Sequence, residues 1–101
     1  MIPIINEVLQ IVRLYHGHNQ KEISKLLNTS QAMISGIERG KKSVSIDMLN
    51  RYSITLGIKK SQLLFLAEEL DGEQPIRRGN LVVSEKALRL LNELEERKVN
   101  E

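Results

Sequence analysis

The 101-residue chain has no cysteine and little aromatic surface, with one Phe, two Tyr and no Trp. The lack of cysteine excludes disulfides, thiolate zinc sites and cysteine nucleophiles, which suits a reducing cytosol. Long apolar runs are missing too, because the longest, Leu63 to Ala67, is far shorter than the ~20 residues of a membrane span. We therefore expect a soluble, cytoplasmic protein with no membrane partner.

Residue groups that carry out chemistry are also scarce. His16 and His18 form an HxH pair, but without a third histidine or any cysteine we expect no metal site. The run Glu93, Glu95 and Glu96 is typical of a solvated helix face, not of a catalytic carboxylate pair. The sequence shows no Gly-rich phosphate loop and no Ser/His/Asp set. The expectation is that the protein is not an enzyme and has no cofactor.

Charge is distributed unevenly along the chain. The net charge is only +2, but residues 1–70 hold nine Lys/Arg against six Asp/Glu, whereas residues 71–101 hold six against seven. The length and the 41% hydrophobic fraction allow one core and a short appendage, but not a second sensing domain. The first 70 residues are thus the part of the chain in which we predict a basic surface that binds a partner.

The stretch from Asn19 to Gly40, NQKEISKLLNTSQAMISGIERG, predicts two short amphipathic helices around a tight break. Asn19 and Glu22 have the spacing of a capping box, so the first of these helices, helix two, starts at Gln20. Its apolar face is supplied by Ile23 and Leu27, and the small Ser24 between them lets another helix approach closely.

The break and the helix after it have their own signals. Asn28 tolerates the left-handed conformation that a tight turn between helices demands. Ser30 can cap helix three, in which Ile34 and Ile37 point inward. By the same periodicity the outward positions are Gln31, Ala32, Ser35 and Gly36.

In these features the chain resembles the Cro/CI-type (Xre-type, lambda repressor-like) DNA-binding domains of phage and bacterial transcription regulators. The matching residues are Arg13, Asn19-Gln20, Ser24, Asn28, Ser30-Gln31, Ile37-Glu38-Arg39-Gly40, Leu49, Leu56-Gly57-Ile58 and Leu63-Leu64. The sequence departs from the family pattern at Leu26, Thr29 and Lys59. The resemblance implies a five-helix, sequence-specific binder of double-stranded DNA.

The candidate site follows from where helix three would lie in the major groove. The predicted base readers are Gln31, Ala32, Ser35 and Gly36, of which Gln31 suits adenine and Ala32 a thymine methyl. Gly36 has no side chain, so it either permits close approach to the duplex or is merely tolerated. Predicted phosphate contacts are Asn19, Gln20, Ser30, Arg39, Lys41 and Lys42. The resemblance further implies that Arg13 and Glu38 form a structural ion pair.

The remaining segments complete an all-α prediction. Helix one runs roughly from Ile4 to Tyr15, Ser45 caps helix four, Gly57 ends it, and helix five spans about Lys60 to Leu70. In helix four the apolar positions at helical spacing include Ile46, Leu49, Tyr52 and Leu56. We predict a helix-turn-helix domain over 1–70, then a linker and a C-terminal amphipathic helix, capped by Ser84, within 71–101.

An excess of apolar surface predicts a second contact. Helix five is apolar on more faces than one core contact needs, and the last helix carries a leucine stripe that must pack on something. Either helix five of the same subunit or the same helix of a second subunit can cover that stripe. The predicted dimerisation residues are Phe65, Leu66, Leu88, Leu91 and Leu94.

Together these observations favour a homodimeric repressor that binds a palindromic operator. One alternative is an antitoxin that represses its own operon and holds a toxin through residues 71–101. Another is a protein-interaction module whose helix-turn-helix does not bind DNA. The C-terminal helix is also a candidate surface for a protein partner, such as a toxin or an antirepressor.

Overall fold

The computed structural model describes residues 4–71 and 85–99, and in these ranges it contains six α-helices and no strand. The helices are α1 (Ile4–Tyr15), α2 (Gln20–Leu26), α3 (Gln31–Glu38), α4 (Ile46–Leu56), α5 (Lys60–Leu70) and α6 (Glu85–Val99). The all-α class is therefore confirmed. The predicted cap Ser84 and the segment 72–84 lie outside the described residues. None of the described helices has the length and hydropathy needed to cross a membrane.

Helix starts coincide with capping side chains. The Asn19 side chain accepts the Glu22 N–H at 2.8 Å, and the Glu22 carboxylate accepts the Asn19 N–H at 2.9 Å. Ser30 and Ser45 hydroxyls cap α3 and α4 at 3.0 Å each. At α5 the Gln62 side chain accepts the Lys59 N–H at 2.9 Å, so this start is stabilised without a capping Ser or Thr.

The turn between α2 and α3 depends on Asn28. Its φ of 55° is the one positive value among the described residues other than glycine. A left-handed backbone is costly for most side chains and mild for Asn, whose polar group bonds locally. The sequence prediction for this turn is confirmed, and the turn holds α2 and α3 as a compact pair.

The core lies between α1, α3, α4 and α5. It includes the α1 residues Val8, Leu9, Ile11 and Val12, together with Ile23, Leu27, Ile34, Ile37, Tyr52, Ile58 and Leu63. Ile46 is an exception to the predicted apolar face of α4, because it is 80% exposed. It is the first residue of the helix and lies beyond the edge of the core, and Met48 is the buried residue of that turn.

The leucine stripe of α6 packs within its own chain. Ala87, Leu91 and Leu94 are buried against the core cluster that also contains Leu66 and Leu70 of α5. Polar contacts flank this packing: Tyr15 Oη donates to Asn92 Oδ1 at 2.6 Å, His16 lies 3.3 Å from Glu95, and Lys86 lies 4.0 Å from Glu69. Of the two surfaces considered for the stripe, the subunit's own α5 is the one used.

This packing corrects the predicted dimer surface. Leu66, Leu91 and Leu94 are buried inside the protomer and are not available to a partner, because α5 and α6 cover one another. Phe65 and Leu88 stay exposed, at 45% and 43%. Phe65 shares a groove with Leu90 on one side of α6, whereas Leu88 lies beside Asn92 on the other side of that helix. The five predicted residues therefore do not form one surface.

Candidate nucleic-acid interface

The inner side of α3 ends in a buried ion pair with α1. Arg13 Nε and Nη2 donate to the Glu38 carboxylate at 2.6 and 2.9 Å, and Nη1 donates to the His18 carbonyl at 2.7 Å. Both partners are almost fully buried. The fork geometry uses both carboxylate oxygens, which fixes the position and the rotation of α3 relative to α1.

Gln20 joins this ion pair. Its Nε2 donates to Glu38 Oε1 at 3.1 Å, so the amide points at the carboxylate rather than outward. The Gln20 side chain is therefore not free for the predicted phosphate contact. Glu38 Oε1 can bind it as well as Arg13, because a carboxylate oxygen accepts more than one hydrogen bond. The first residue of α2 is thereby tied to the last residue of α3.

Asn6 was not among the predicted site residues, yet it fixes the end of α3. Its Nδ2 donates to the carbonyl oxygens of Ile37 at 2.8 Å and of Lys42 at 2.9 Å, and the residue is buried. Carbonyls at a helix C-terminus lack partners within the helix, so a buried amide donor satisfies them. The available sequence signal was the short amide of Asn6, which directly follows the apolar residues Ile4 and Ile5 in helix one.

Arg51 of α4 holds the turn in a similar way. Its Nη1 donates to the carbonyls of Leu27 and Asn28 at 3.2 Å each, while Nη2 lies 3.1 Å from Asp47. The carbonyls that α2 leaves open at its end therefore have a cationic donor. Nothing in the helical periodicity of α4 pointed to this contact, because the acceptors are backbone atoms.

Tyr52 lies under the ion pair. It is fully buried, and its hydroxyl has no hydrogen-bond partner among the described residues. Burial and then the negative charge of Glu38 raise the pKa of Tyr52, while Arg13 partly offsets them. The phenol stays neutral in the folded protein.

The outward side of α3 presents a short polar surface. Gln31 and Ala32 are exposed and Ser35 is half-buried. Gly36 departs from the predicted open face, because it is buried beneath the side chain of Lys42. DNA that approaches position 36 would therefore meet the Lys42 side chain before the Gly36 backbone.

Cationic groups follow the outward side directly. Arg39, Lys41 and Lys42 are all exposed, and Arg39 Nε donates to the Ser35 carbonyl at 3.4 Å. Asn19 and Ser30 are exposed at the starts of α2 and α3, where their oxygens serve as caps. Apart from Gln20 and Gly36, the predicted residues thus lie at the solvent side of the α2–α3 unit.

A family model described as helix-turn-helix matches residues 9–63, more than half of the chain. The chain belongs to the Cro/CI-type helix-turn-helix family. It is thus a DNA-binding transcription regulator, from a family whose members are not enzymes. No curated protein and no solved structure matches the chain significantly. The Cro/CI-type match begins within α1, contains both helices of the motif and ends within α5.

Proposed function

We propose that this Cro/CI-type protein is a homodimeric repressor that binds a palindromic operator in the major groove. The observation that carries the proposal is the two-sided construction of α3. Its inner side is fixed by Glu38, and its outer side presents Gln31 and Ala32 beside three exposed cations. A helix held in one orientation with its polar start free is what base-edge recognition requires.

The readers are assigned by side-chain chemistry. The Gln31 amide donates to adenine N7 and accepts from its N6 amino group, which is a bidentate contact. Ala32 contacts a thymine methyl, and Ser35 bonds to either kind of base. Arg39, Lys41 and Lys42 neutralise phosphates, and Asn19 and Ser30 are the proposed contacts near the helix starts, whereas the Gln20 amide is bound to Glu38.

Two protomers are needed because one short helix covers too few base pairs to select an operator. A dyad places two recognition helices about 34 Å apart on one side of the duplex. The exposed flank of α5, with Leu64 and Phe65, remains as an apolar surface for a second copy. Phe65→Asp is expected to give a monomer in sedimentation, whereas Leu88→Asp on the opposite flank of α6 is expected to stay dimeric.

Repression then follows from occlusion of polymerase, and the protein acts in the cytoplasm, where bacterial DNA lies. Residues 1–70 supply the readout and residues 71–101 buttress the domain through α6. The antitoxin alternative uses residues 71–101 to hold a toxin; in that segment Ala87, Leu91 and Leu94 are buried against the domain, and co-purification of an endogenous partner would distinguish an antitoxin from a repressor. The interaction-module alternative predicts no selective DNA binding, so selection of bound duplexes from a random pool tests it as well.

The test is selection of bound duplexes from a random pool, followed by anisotropy measurements on the selected duplex and on a scrambled one. Gln31→Ala is expected to cost about 1 to 3 kcal/mol on the selected duplex and little on the scrambled one. Lys41→Ala is expected to weaken both equally and to make the salt dependence shallower by about one unit. A chain that selects no duplex would contradict the proposal.

A further inference from the structure

The side chain of Lys42 lies across the outward side of α3 at Gly36. A Cβ placed on Gly36 would be 3.0 Å from Lys42 Cγ, 3.1 Å from Cδ and 3.3 Å from Cε. Three successive methylenes at nearly equal distance from one point mean that the chain runs flat over the glycine. A methyl group at position 36 would require the lysine chain to shift by a few tenths of an ångström, and a larger side chain would have to displace it.

The backbone of Lys42 is fixed from both sides. Its N–H donates to the Gly36 carbonyl at 3.1 Å, and its own carbonyl accepts from Asn6 Nδ2 at 2.9 Å. The Lys41 N–H also donates to the Gly36 carbonyl, at 2.9 Å. The point from which the Lys42 side chain starts is therefore set relative to α3.

This arrangement puts an ammonium group beside the reading face. Gly36 follows Ala32 by four residues, so the two share one stripe of the helix. Nζ lies one bond beyond Cε, which keeps it within about 5 Å of the point where a residue-36 side chain would begin. Lys42 thus supplies the long polar side chain that Gly36 lacks.

We propose that Lys42 is a base-reading residue, seated on Gly36, that donates to guanine O6 and N7 one helical turn from the Ala32 contact. The inference rests on the proposed operator binding and changes the role of Lys42 from phosphate contact to reader. Guanine is the base that presents two acceptors in the major groove, and an ammonium is a donor only. Gly36 is the positioning residue: its missing side chain leaves room for the lysine stem, and the seat reduces the rotamer freedom lost on binding.

The first experiment compares Lys42→Ala with Lys41→Ala in the full chain. Affinity is measured on the selected duplex, on duplexes with each base pair of a half-site replaced, and on a scrambled duplex. Lys42→Ala is expected to lose about tenfold or more on the selected duplex and to remove the preference for guanine at one position of each half-site. Lys41→Ala, one residue away, is expected to lose the same factor on every duplex.

The second experiment tests the seat by a double-mutant cycle. Gly36→Ala alone is expected to lose part of the affinity that Lys42→Ala loses, to cost nothing further in the Lys42→Ala background, and to add fully to Lys41→Ala. Its melting temperature is expected to be unchanged or higher, since alanine favours the helix. An affinity loss with no loss of folding separates positioning from a merely structural role.

Two results would overturn the inference. An equal loss for Lys42→Ala on all duplexes, scrambled included, would make the lysine a phosphate contact. A Gly36→Ala loss that persists without the lysine would show that the glycine acts alone. If the wild-type chain selects no duplex, operator binding itself fails, and that outcome is recognised before any variant is measured.

Discussion

The recognition helix α3 and the C-terminal helix α6 are attached to the same core by different forces. Charged and amide hydrogen bonds from Arg13 and Asn6 hold the end of α3, whereas α6 is held by three buried apolar side chains and by polar contacts at its edges. Hydrophobic burial has no direction, but hydrogen bonds fix distance and angle. The recognition helix α3, which must be oriented toward DNA, is thus the one held by buried hydrogen bonds.

The largest effect is expected where a buried charge loses its partner. Glu38→Ala strands Arg13 in the core and is expected to cost about 3 to 5 kcal/mol in the free energy of unfolding. Urea unfolding followed by circular dichroism measures this cost. The double variant Arg13→Met/Glu38→Leu serves as the control, and it is expected to recover most of the stability, since apolar residues of similar volume often replace a buried pair.

If the double variant were as stable as the wild type but still read its operator, the polar tie would be dispensable for aiming α3. Buried hydrogen bonds would then not be what orients the recognition helix. Reduced operator selectivity in a stable double variant would show that the buried polar contacts orient α3, because stability and orientation would be separated in one protein.

The next effect concerns α6 and has a matched control on the same helix. Leu91→Ala removes a buried side chain and is expected to cost about 2 to 5 kcal/mol, whereas exposed Leu88→Ala is expected to change stability by no more than about 0.5 kcal/mol. Thermal unfolding gives the difference, and hydrogen exchange of α6 amides shows whether that helix opens on its own. Equal effects of the two changes would contradict the packing of α6 on α5.

A smaller effect is expected for the amide tie. Asn6→Ala leaves the carbonyls of Ile37 and Lys42 without their donor and is expected to cost about 1 to 3 kcal/mol. Asn92→Ala removes an exposed contact with Tyr15 and is expected to cost under about 0.5 kcal/mol. Operator affinity should fall with Asn6→Ala only. An unchanged affinity would show that the loop after α3 needs no fixing by α1.

The smallest effect is a gain. Tyr52→Phe removes a buried hydroxyl without a partner among the described residues and is expected to stabilise the fold by about 1 kcal/mol. The raised pKa of Tyr52 means that folding favours the protonated phenol. Stability should therefore decline as the pH rises above the ordinary tyrosine value of 10.0, where the unfolded chain loses its proton first.

Tyr52→Phe is expected to reduce that alkaline decline. Unfolding free energies at pH 8 and at pH 10.5 for both proteins measure the difference. An equally steep decline in the variant would assign the decline to other groups. A loss of stability at pH 8 would mean that the hydroxyl has a favourable contact in the folded protein.

What could be predicted from the sequence was local. The starts of α2, α3 and α4 follow from Asn19, Ser30 and Ser45, because a cap acts within one turn of its own residue. The left-handed turn is also a local feature, because it depends on the tolerance of Asn28 itself for that backbone conformation. Periodicity also found the leucine stripe of α6, but it offered two apolar surfaces for it and gave no means of choosing between them.

What could not be predicted was contact over distance. Asn6 and Arg51 bind backbone carbonyls, which every residue has and which leave no pattern in the sequence. Gly36 was assigned to an open face by helical spacing, and it is Lys42, returning from the loop after α3, that covers it. Periodicity describes one helix at a time and is silent on what folds back over it.

The two-sidedness of α3 also bears on how such a regulator diverges. Gln31 and Ala32 lie outside the core, so exchanging them is expected to cost little stability, and under the proposed readout it would change the preferred operator by single substitutions. Gly36 and Lys42 are coupled, since a large side chain at position 36 would displace the lysine chain that covers it. Relatives with a large side chain at position 36 should lack the lysine at position 42, and an alignment would show that covariation.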